Sequence, residues 1–336
     1  MSRKPTMEDV KNLAGVSIST VSRVINGTKK VSPDKVLAVN NAIEKLGYKP
    51  NELARSLVRK RSNTLGIIID DLGIDYMAQY IRGIDEIGKM YDYDILLYST
   101  FGDVEVQKKA VEFLSSKQVE GIIIISEKIN NEIIYLVKEY EIPFILLDKF
   151  YSPDDYKTVT FDYDQATSAM TNLFIDYGHE NIIYLTEKSH DNSSDLKQQG
   201  FESAMSERGL TKQVFTVNGS NIESGYNFLD ENIKFIHKNE ITGIICSNDL
   251  LATGILHYCY DHGIKVPDEL SVSGFGNDSF SKLLRPSLST VRLPYYDVGA
   301  VAVRVLIKSL REEETISESL KLNFEILIRE TIRKIK

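Results

Sequence analysis

Apolar and polar positions follow one rhythm up to about residue 50 and another from residue 65 onward. In the first stretch the apolar positions recur every three or four residues, as in amphipathic helices; they are Val10, Leu13, Val21, Val24, Val36, Val39, Ile43 and Leu46. Capping residues divide this stretch into three short helices, which begin after Thr6, Ser17 and Ser32 and end at Gly15, Gly27 and Gly47. The four-residue turn 15–18 between the first two helices predicts a helix-turn-helix.

From Leu65 onward, short apolar runs alternate with amphipathic stretches of helical periodicity. The apolar runs predict buried strands at 65–69, 95–98, 121–125, 144–147, 182–185, 214–217, 243–246 and 270–273. The intervening stretches predict helices, among them 78–90, 104–114, 133–140, 165–177, 196–206 and 249–262. Buried strands that alternate with helices are typical of parallel sheets with helices on both faces.

This second rhythm covers too many residues for one small sheet. We therefore predict an α/β core of two doubly wound parallel-sheet lobes, joined to an all-α N-terminal helix-turn-helix domain. Ligands of such sheets bind at the carboxyl ends of the strands, here in the cleft between the lobes. The predicted domains are a headpiece at 1–50, a hinge at 51–61 and a core at 62–336, with an N-lobe of about 62–161 plus 292–322 and a C-lobe of about 162–291 plus 323–336. The hinge is too short to form a stable helix alone, so we expect it to order on binding.

Charge is divided between the same parts of the chain. Residues 1–61 hold 13 Lys and Arg against 5 Asp and Glu, a net charge of +8. The whole chain has a net charge of −8, so the remaining residues carry −16. A basic module on an acidic body indicates a polyanionic partner for the module.

Other features narrow the class of protein. The chain has two cysteines, Cys246 and Cys259, and no apolar run that resembles a signal peptide or a membrane span. We therefore expect buried free thiols and a cytoplasmic protein without a membrane partner. The five histidines are scattered, and neither a glycine-rich phosphate loop nor a Gly-x-Ser-x-Gly motif occurs. We accordingly expect no enzymatic activity, no metal site and no cofactor.

The second predicted helix carries the strongest local signal. In a recognition helix the N-terminal residues meet base edges in the major groove, and here they are Ile18 and Ser19, with Arg23 one turn further along the same face. Arg23 can pair with a guanine, and Ile18 can contact a thymine methyl. The hydroxyl groups of this helix can either bind phosphates or cap the helix; they belong to Ser17, Thr20 and Ser22. An ordinary helical surface is the alternative interpretation.

The basic hinge is the second candidate for DNA contact. An apolar side chain wedged between base steps kinks the duplex, and arginine favours the narrow minor groove. Arg55 and Leu57 suit these two roles. The alternative is that Leu57 packs against the body as a linker residue.

Further motifs occur in order along nearly the whole chain, at 6–26, Gly47-Tyr48-Lys49-Pro50-Asn51, Ala54-Arg55-Ser56-Leu57, Arg82-Gly83-Ile84, Gly178-His179, Ser247-Asn248-Asp249, Gly263 with Val266-Pro267, and Gly274-Phe275. Together they resemble the LacI/GalR family of bacterial transcription regulators. The resemblance implies a core like that of periplasmic binding proteins, a hinge helix that folds on DNA, a homodimer and a palindromic operator. It also implies base contacts from Ile18, Ser19 and Arg23 and intercalation by Leu57. The DNA contacts expected on this basis are Thr6, Ser17, Ile18, Ser19, Thr20, Ser22, Arg23, Asn26, Tyr48, Asn51, Arg55 and Leu57.

Within that family the chain is most similar to the regulators of carbon catabolite genes in low-GC Gram-positive bacteria, on residues 82–87, 89–91, 117–121, 162–166, 285–286 and 296–304. The similarity implies a phosphoprotein corepressor, serine-phosphorylated HPr, and an interface made of Tyr296, Asp297, Ala300, Arg304 and Lys308. Four of these residues recur every four positions: Tyr296, Ala300, Arg304 and Lys308. This spacing predicts that they form one stripe along a helix. A guanidinium in this stripe can bind a phosphate. The alternative is a solvated helix face.

The predicted effector cleft departs from the pattern of family members that bind free sugars. Those members commonly have Arg where this chain has Lys197, and Asp where it has Gly276. Lysine and glycine hold sugar hydroxyls less firmly than a guanidinium and a carboxylate do. The candidate cleft residues are Asp71, Asp148, Lys197, Asp249, Asn277 and Asp278. These departures weaken the prediction of a sugar inducer and leave a sugar-phosphate adjunct effector open.

The sequence thus predicts a dimeric DNA-binding regulator of carbon catabolite genes, mainly a repressor. The alternative is an operon-specific repressor that a free sugar or nucleoside releases from DNA. A protein that only transports or senses a ligand is a third possibility, which the basic headpiece disfavours.

Overall fold

The computed structural model describes residues 5–27, 30–49, 62–73, 75–126, 131–147, 158–188, 192–311 and 320–335. The chain divides into two compact units, Met1–Asn63 and Thr64–Lys336. Each unit has an apolar core of its own.

The first unit contains the three helices that the apolar periodicity predicts: α1 (Met7–Ala14), α2 (Ile18–Asn26) and α3 (Pro33–Leu46). A capping box begins α1, because the Thr6 N–H donates to Asp9 Oδ2 at 2.8 Å while Thr6 Oγ1 accepts from the Asp9 N–H. Gly15 ends α1 at a φ of 66°, a left-handed conformation that glycine adopts without strain. The short turn that follows leads directly into α2.

Three helix faces converge on a small core in this unit. Val10, Val21, Val39 and Ala42 are buried there. The prediction that Leu13 belongs to this core is wrong, because its side chain is 45% exposed. The inward face of α1 runs through Met7, Val10 and Ala14 instead, and Leu13 lies beside that stripe.

The second unit alternates strands and helices throughout. Its strands are β1 (Thr64–Ile69), β2 (Asp94–Ser99), β3 (Gly121–Ile125), β4 (Phe144–Leu147), β5 (Thr158–Phe161), β6 (Ile182–Glu187), β7 (Gln213–Val217), β8 (Gly243–Cys246), β9 (Ser271–Gly276), β10 (Ser289–Arg292), β11 (Leu320–Leu322) and β12 (Glu325–Leu327). Its helices are α4 (Asp75–Met90), α5 (Val104–Ser116), α6 (Asn131–Glu139), α7 (Tyr163–Asp176), α8 (Asn192–Glu207), α9 (Ile222–Lys238), α10 (Asp249–Asp261) and α11 (Tyr295–Leu310).

The strands form two six-stranded sheets, which confirms the predicted fold class. The first sheet has the order β11-β5-β4-β3-β1-β2, and the second has the order β12-β10-β9-β8-β6-β7. All neighbours are parallel except the edge strand β12, which runs antiparallel to β10. We call the lobe around the first sheet the N-lobe and the lobe around the second sheet the C-lobe.

The chain passes between the lobes three times. It leaves the first sheet after β5 and enters the C-lobe with α7, which packs on α8. It returns after β10, since α11 packs on α4 and on strands of the first sheet. The last passage joins β11 in the first sheet to β12 in the second. The helix that follows the second passage, α11, begins beside the cleft, since its first residue, Tyr295, lines it.

Two properties of the described residues bear on the class of protein. Cys246 and Cys259 are buried free thiols, as predicted. None of the helices that the structure describes is both long and apolar enough to cross a membrane.

Candidate functional site

The outer face of α2 presents the predicted base-reading residues. Val21 is fully buried and holds the helix on the headpiece core, while Ser19 and Arg23, four positions apart, are exposed. Ile18 is 46% exposed although it is a large apolar side chain. An exposed isoleucine at the start of the helix suits apolar contact with a base, and an exposed arginine one turn further along suits hydrogen bonding to another.

Hydroxyls at the start of α2 form a connected group. Ser17 Oγ accepts from the Thr20 N–H at 3.2 Å, so Ser17 is the N-cap of this helix. The same oxygen lies 2.9 Å from Ser19 Oγ and 2.8 Å from Thr20 Oγ1. Further along, Asn26 Nδ2 donates to Ser22 Oγ at 3.2 Å. The structure therefore gives Ser17 a capping role, and its neighbours are linked by hydrogen bonds along one edge of the helix.

The remaining predicted DNA contacts lie at the ends of the headpiece. Thr6 caps α1, and Tyr48 packs partly buried against the headpiece core. The predicted hinge contacts Asn51, Arg55 and Leu57 lie outside the described residues.

Two helices of the N-lobe, α4 and α11, cross with their backbones in contact. A Cβ atom on Gly83 of α4 would lie 2.1 Å from the Tyr296 carbonyl oxygen of α11. A Cβ atom on Gly299 would lie 2.3 Å from the Tyr80 carbonyl oxygen. Both positions therefore require glycine for this close approach.

The close crossing decides which side of α11 is available to a partner. Ala300 is buried against Gly83, which corrects the prediction that it belongs to an exposed docking patch. Asp297 and Arg304 are exposed, and Val301 and Lys308 are half-buried. The spacing of these four residues, at positions 297, 301, 304 and 308, is that of a single helix face. We call Asp297, Val301, Arg304 and Lys308 the α11 stripe.

Tyr296 lies at the edge of the α11 stripe and bonds to α4. Its hydroxyl donates to Glu86 Oε2 at 2.7 Å, and Glu86 Oε1 accepts from Arg82 Nε at 2.8 Å. The hydrogen bond from Arg82, followed by the one from Tyr296, lowers the pKa of Glu86. The same bond to Glu86 raises the pKa of Tyr296. Tyr296 thus stays protonated and links the two helices next to the α11 stripe.

The interlobe cleft is a second candidate site. It has a volume of about 610 Å³ and is lined from the N-lobe side by Asp75, Tyr76 and Tyr295 and from the C-lobe side by residues that include Glu187, Lys197, Asn248, Phe275 and Asp278. Hydrogen bonds join the lobes at this place, since Asp75 accepts from the Ser279 N–H at 2.8 Å and from Ser279 Oγ at 2.9 Å. A cavity of this size suits a small molecule.

Lys197 lines the cleft as predicted but is held by the C-lobe. Its ammonium lies 4.6 Å from the ring centre of Phe275 and 5.3 Å from that of Tyr163. It also donates to the Ser247 carbonyl oxygen at 3.3 Å. Cation–π contacts and this hydrogen bond stabilise the charge inside the protein.

Asp249 does not line the cleft, contrary to our expectation. The residue is fully buried, and its carboxylate accepts from Thr290 Oγ1 at 2.6 Å, from Ser281 Oγ at 2.5 Å and from the Asp278 N–H at 2.8 Å. Burial raises the pKa of Asp249, although these three donors counteract the rise. Asp249 therefore fixes the loop after β9 to the start of α10.

Two further predicted cleft residues also have structural partners. Asp71 Oδ1 accepts from the Gly73 N–H at 2.8 Å, which is a local turn. Asn277 Oδ1 accepts from Arg329 at 2.5 Å. Neither is among the residues found to line the cleft, whereas Asp278 is. Asp148 lies outside the described residues.

Several residues that line the cleft were not predicted from the sequence. Asp75 and Tyr76 begin α4, and Glu187 ends β6, so all three sit near the carboxyl end of a strand. That position was the available signal, because ligands of doubly wound sheets bind at this edge. Tyr295 could not be found in this way, because the strand before it, β10, was not predicted from the apolar pattern.

Comparison with known proteins identifies the family. Residues 6–51 match the family of bacterial regulatory proteins, lacI family, and residues 171–332 match a periplasmic binding protein-like domain. Catabolite control protein A of Priestia megaterium is 34% identical over 335 residues, which are 98% of this chain and 99% of that protein. The HTH-type transcriptional regulator RegA of Clostridium saccharobutylicum is 33% identical over 333 residues, which are 97% of this chain and 98% of that protein.

A solved structure agrees with this assignment at the level of the fold. The lac repressor dimer bound to operator and the anti-inducer ONPF has a TM-score of 0.86 at 22% identity, over 98% of this chain and 100% of that one. The curated relatives are regulators rather than enzymes. With a matching headpiece and a relative of 34% identity along almost its full length, the chain belongs to the lacI family of bacterial regulatory proteins and is a DNA-binding transcriptional regulator.

Proposed function

We propose that this protein binds a palindromic operator as a homodimer and represses genes of carbon catabolism, with serine-phosphorylated HPr as its corepressor. The observation that carries the proposal is the α11 stripe, which presents Arg304 on an exposed face of a helix that is otherwise buried. The likeness to catabolite control protein A of Priestia megaterium supports the regulatory role.

The α11 stripe has the chemistry that a phosphoprotein needs. An exposed guanidinium presents a planar fork that pairs with phosphate oxygens through two parallel hydrogen bonds. Lys308 lies four residues further on the same face, and Val301 adds a small apolar contact beside them. Because residues 62–336 carry a net charge of −16, these two cations stand out against an acidic background.

DNA recognition falls to the headpiece and the hinge. In the proposed complex Ile18, Ser19 and Arg23 read base edges in the major groove, and the basic hinge binds the minor groove. A corepressor that favours one arrangement of the lobes favours the spacing at which two hinges bind together. Partner binding and operator affinity are then coupled through one equilibrium.

An operator-binding titration tests the corepressor. Fluorescence anisotropy would measure the operator Kd of the full chain alone, with unphosphorylated HPr and with serine-phosphorylated HPr. We expect Arg304→Ala to abolish the enhancement given by the phosphorylated form, because a charge-assisted hydrogen bond contributes about 1.5–3 kcal/mol, or roughly ten- to a hundredfold in affinity. Basal operator binding should persist.

Arg208→Ala is the matched control. Arg208 is an exposed arginine of the C-lobe whose ion pair with Asp176 at 2.9 Å contributes little to stability. This variant should keep the full enhancement. An enhancement that is unchanged in Arg304→Ala, or that unphosphorylated HPr gives equally, would refute the corepressor assignment.

The second candidate function is an operon-specific repressor that a free sugar or nucleoside releases from DNA. The interlobe cleft of about 610 Å³ is the observation that favours it. Adding a panel of sugars and nucleosides to the same operator assay separates the two functions. A free sugar or nucleoside that raises the operator Kd, with no response to phosphorylated HPr, would replace the corepressor proposal.

A further inference from the structure

Ser279 of the C-lobe joins the two lobes beside the cleft. Its N–H and its Oγ both donate to the carboxylate of Asp75, at 2.8 and 2.9 Å. Asp75 is the first residue of α4, a helix of the N-lobe. Because the donors and the acceptor belong to different lobes, both hydrogen bonds depend on how the lobes are arranged. We call these two residues the interlobe latch, and we call the lobes closed when both of its bonds are made.

The loop that carries Ser279 is fixed to its own lobe. The Asp278 N–H donates to Asp249 Oδ2 at 2.8 Å, and Ser281 Oγ donates to the same oxygen. Asp249 is itself fully buried at the start of α10. These bonds on either side of Ser279 leave the loop little freedom to follow Asp75. The latch therefore opens when the lobes move apart, and not by a movement of the loop alone.

The residue before Ser279 brings a second carboxylate to the latch. Asp278 is half-buried and lines the same cavity as Asp75. None of the described residues donates a hydrogen bond to the Asp278 carboxylate. Since Asp75 and Asp278 belong to opposite lobes, their negative charges repel each other across the latch when both are ionised.

The carboxylates that surround Asp278 come from three elements. Asp249 at the start of α10 and Asp75 at the start of α4 both act on its charge. Glu187 at the end of β6 lines the same cavity. An ionised Asp278 thus adds a further negative charge to an acidic place.

The positive charges near this carboxylate are directed elsewhere. The Lys197 ammonium of α8 lies 4.6 Å from the ring centre of Phe275, and it opposes the acidic surroundings only in part. Lys188 lines the cavity but is exposed to solvent, where its charge is screened. Arg329 donates to the side chain of Asn277. The cations around the loop therefore leave much of the repulsion between the lobes in place.

We propose that the interlobe latch is sensitive to pH, and that it closes when the Asp278 carboxyl is protonated and opens when that carboxyl is ionised. A neutral Asp278 is not repelled by Asp75 and keeps its half-buried position at little cost. An ionised Asp278 is repelled, and it gains hydration when the lobes separate. Any binding event that prefers one arrangement of the lobes then depends on pH as well.

The electrostatics of Asp278 gives the pH range and the sign. Burial, followed by the carboxylates of Asp249 and Asp75, raises the pKa of Asp278 to about 7. Separation of the lobes returns this carboxyl to water, so its pKa falls toward the ordinary aspartate value of about 3.9. A group whose pKa is higher in the closed state takes up a proton on closing, so closure is favoured at low pH and is lost as the pH rises through about 7. One such proton changes the closing equilibrium about tenfold between pH 6 and pH 8.

Hydrogen exchange at the Ser279 amide measures the latch directly, because this N–H is one of the two latch donors. Mass spectrometry would follow exchange in the full chain without DNA, HPr or sugar from pH 6 to pH 8, with each rate corrected for intrinsic chemical exchange. We expect the protection of Ser279 to fall about tenfold over this range. Asp278→Asn is uncharged at every pH, so this variant should keep the protection and lose its dependence on pH.

Asp268→Asn is the matched control, since Asp268 is an exposed aspartate of the same lobe and does not line the cleft. This variant should keep the full dependence on pH. Asp75→Ala removes the acceptor and should lower the protection of Ser279 at every pH. Protection of the β1 amides in the same experiment establishes that each variant is folded.

Three results would overturn the proposal. The first is a corrected protection of Ser279 that changes less than about twofold between pH 6 and pH 8 in the unmodified chain. The second is a dependence on pH that Asp278→Asn retains. The third is a Ser279 amide that is equally protected in Asp75→Ala. Since neither DNA nor HPr is present, these results are separate from those of the operator titration.

Discussion

The crossing of α4 and α11 gives the sharpest prediction of stability. In Gly83→Ala the new methyl group would lie 2.1 Å from the Tyr296 carbonyl oxygen and 3.0 Å from the Ala300 nitrogen. Both are backbone atoms, so no rotation of a side chain can relieve the overlap. The helices must instead move apart by more than about 1 Å to reach ordinary contact.

The expected cost follows from two opposing effects. Overpacking a well-packed core costs about 1–3 kcal/mol, and a clash with backbone belongs at the upper end of that range. Replacing glycine by alanine inside a helix stabilises the folded state by about 1 kcal/mol, because alanine has less conformational entropy to lose on folding. We therefore expect Gly83→Ala to lower the free energy of unfolding by about 2 kcal/mol, which corresponds to roughly 4–8 °C in Tm for a unit of this size.

A second glycine on the same helix provides the control. In Gly88→Ala the nearest atom is Ile95 Cδ1 at 3.2 Å, the end of a flexible side chain that can move aside. This variant should be neutral or up to about 1 kcal/mol more stable, through helix propensity alone. Urea unfolding of the full chain, followed by far-UV circular dichroism, would measure both. Equal stability of the two variants would refute the close crossing.

Two other predictions concern a helix cap and a buried histidine. Ser17→Ala should destabilise α2 by about 1 kcal/mol, and so speed hydrogen exchange in this helix about fivefold, because Ser17 Oγ accepts from the Thr20 N–H. Ser32→Ala should leave exchange in α3 nearly unchanged, since Ser32 makes no such bond; a similar effect in both helices would contradict the assigned cap. Burial lowers the pKa of His179 below its ordinary 6.5, so the unfolded chain binds the proton first and stability should fall as the pH drops below about 6.5. His179→Gln should flatten this dependence of the urea midpoint, and an unchanged slope would show that another group causes it.

Some strands could be predicted from the local sequence, and others could not, because their polar side chains have hydrogen-bond partners far away in the chain. Strands such as β1 and β3 are continuous apolar runs, because both faces of a parallel sheet are buried. β10 is buried as well, but it contains the polar residues Ser289 and Thr290. Its sequence therefore lacks the continuous apolar run that predicts a buried strand. The Ser289 N–H donates to Thr331 Oγ1, and Thr290 Oγ1 donates to Asp249. These partners are about 40 residues away, so no local pattern reveals the strand.

The candidate sites show the same division between local and distant causes. The caps and turns of the headpiece depend on residues three or four positions apart, and the sequence contains that information. On α11, the four-residue spacing correctly indicated a helix but did not indicate which face α4 covers. Ala300 is buried by Gly83, more than 200 residues earlier in the chain. Asp249 likewise looked like a ligand group until its three donors were known.

The cleft and the α11 stripe meet at adjacent residues of one helix. Tyr295 lines the cleft and stacks on Tyr76, while the next residue, Tyr296, donates to Glu86 beside the stripe. At the start of α4, Asp75 bonds to the opposite lobe.

Because their backbones touch, α4 and α11 cannot separate locally without losing this packing, so we expect them to move together. A ligand that favours one position of this helix pair relative to the C-lobe therefore favours any partner that prefers the same position. That coupling is reciprocal, so its sign and size are the same whether it is measured at the cleft or at the stripe.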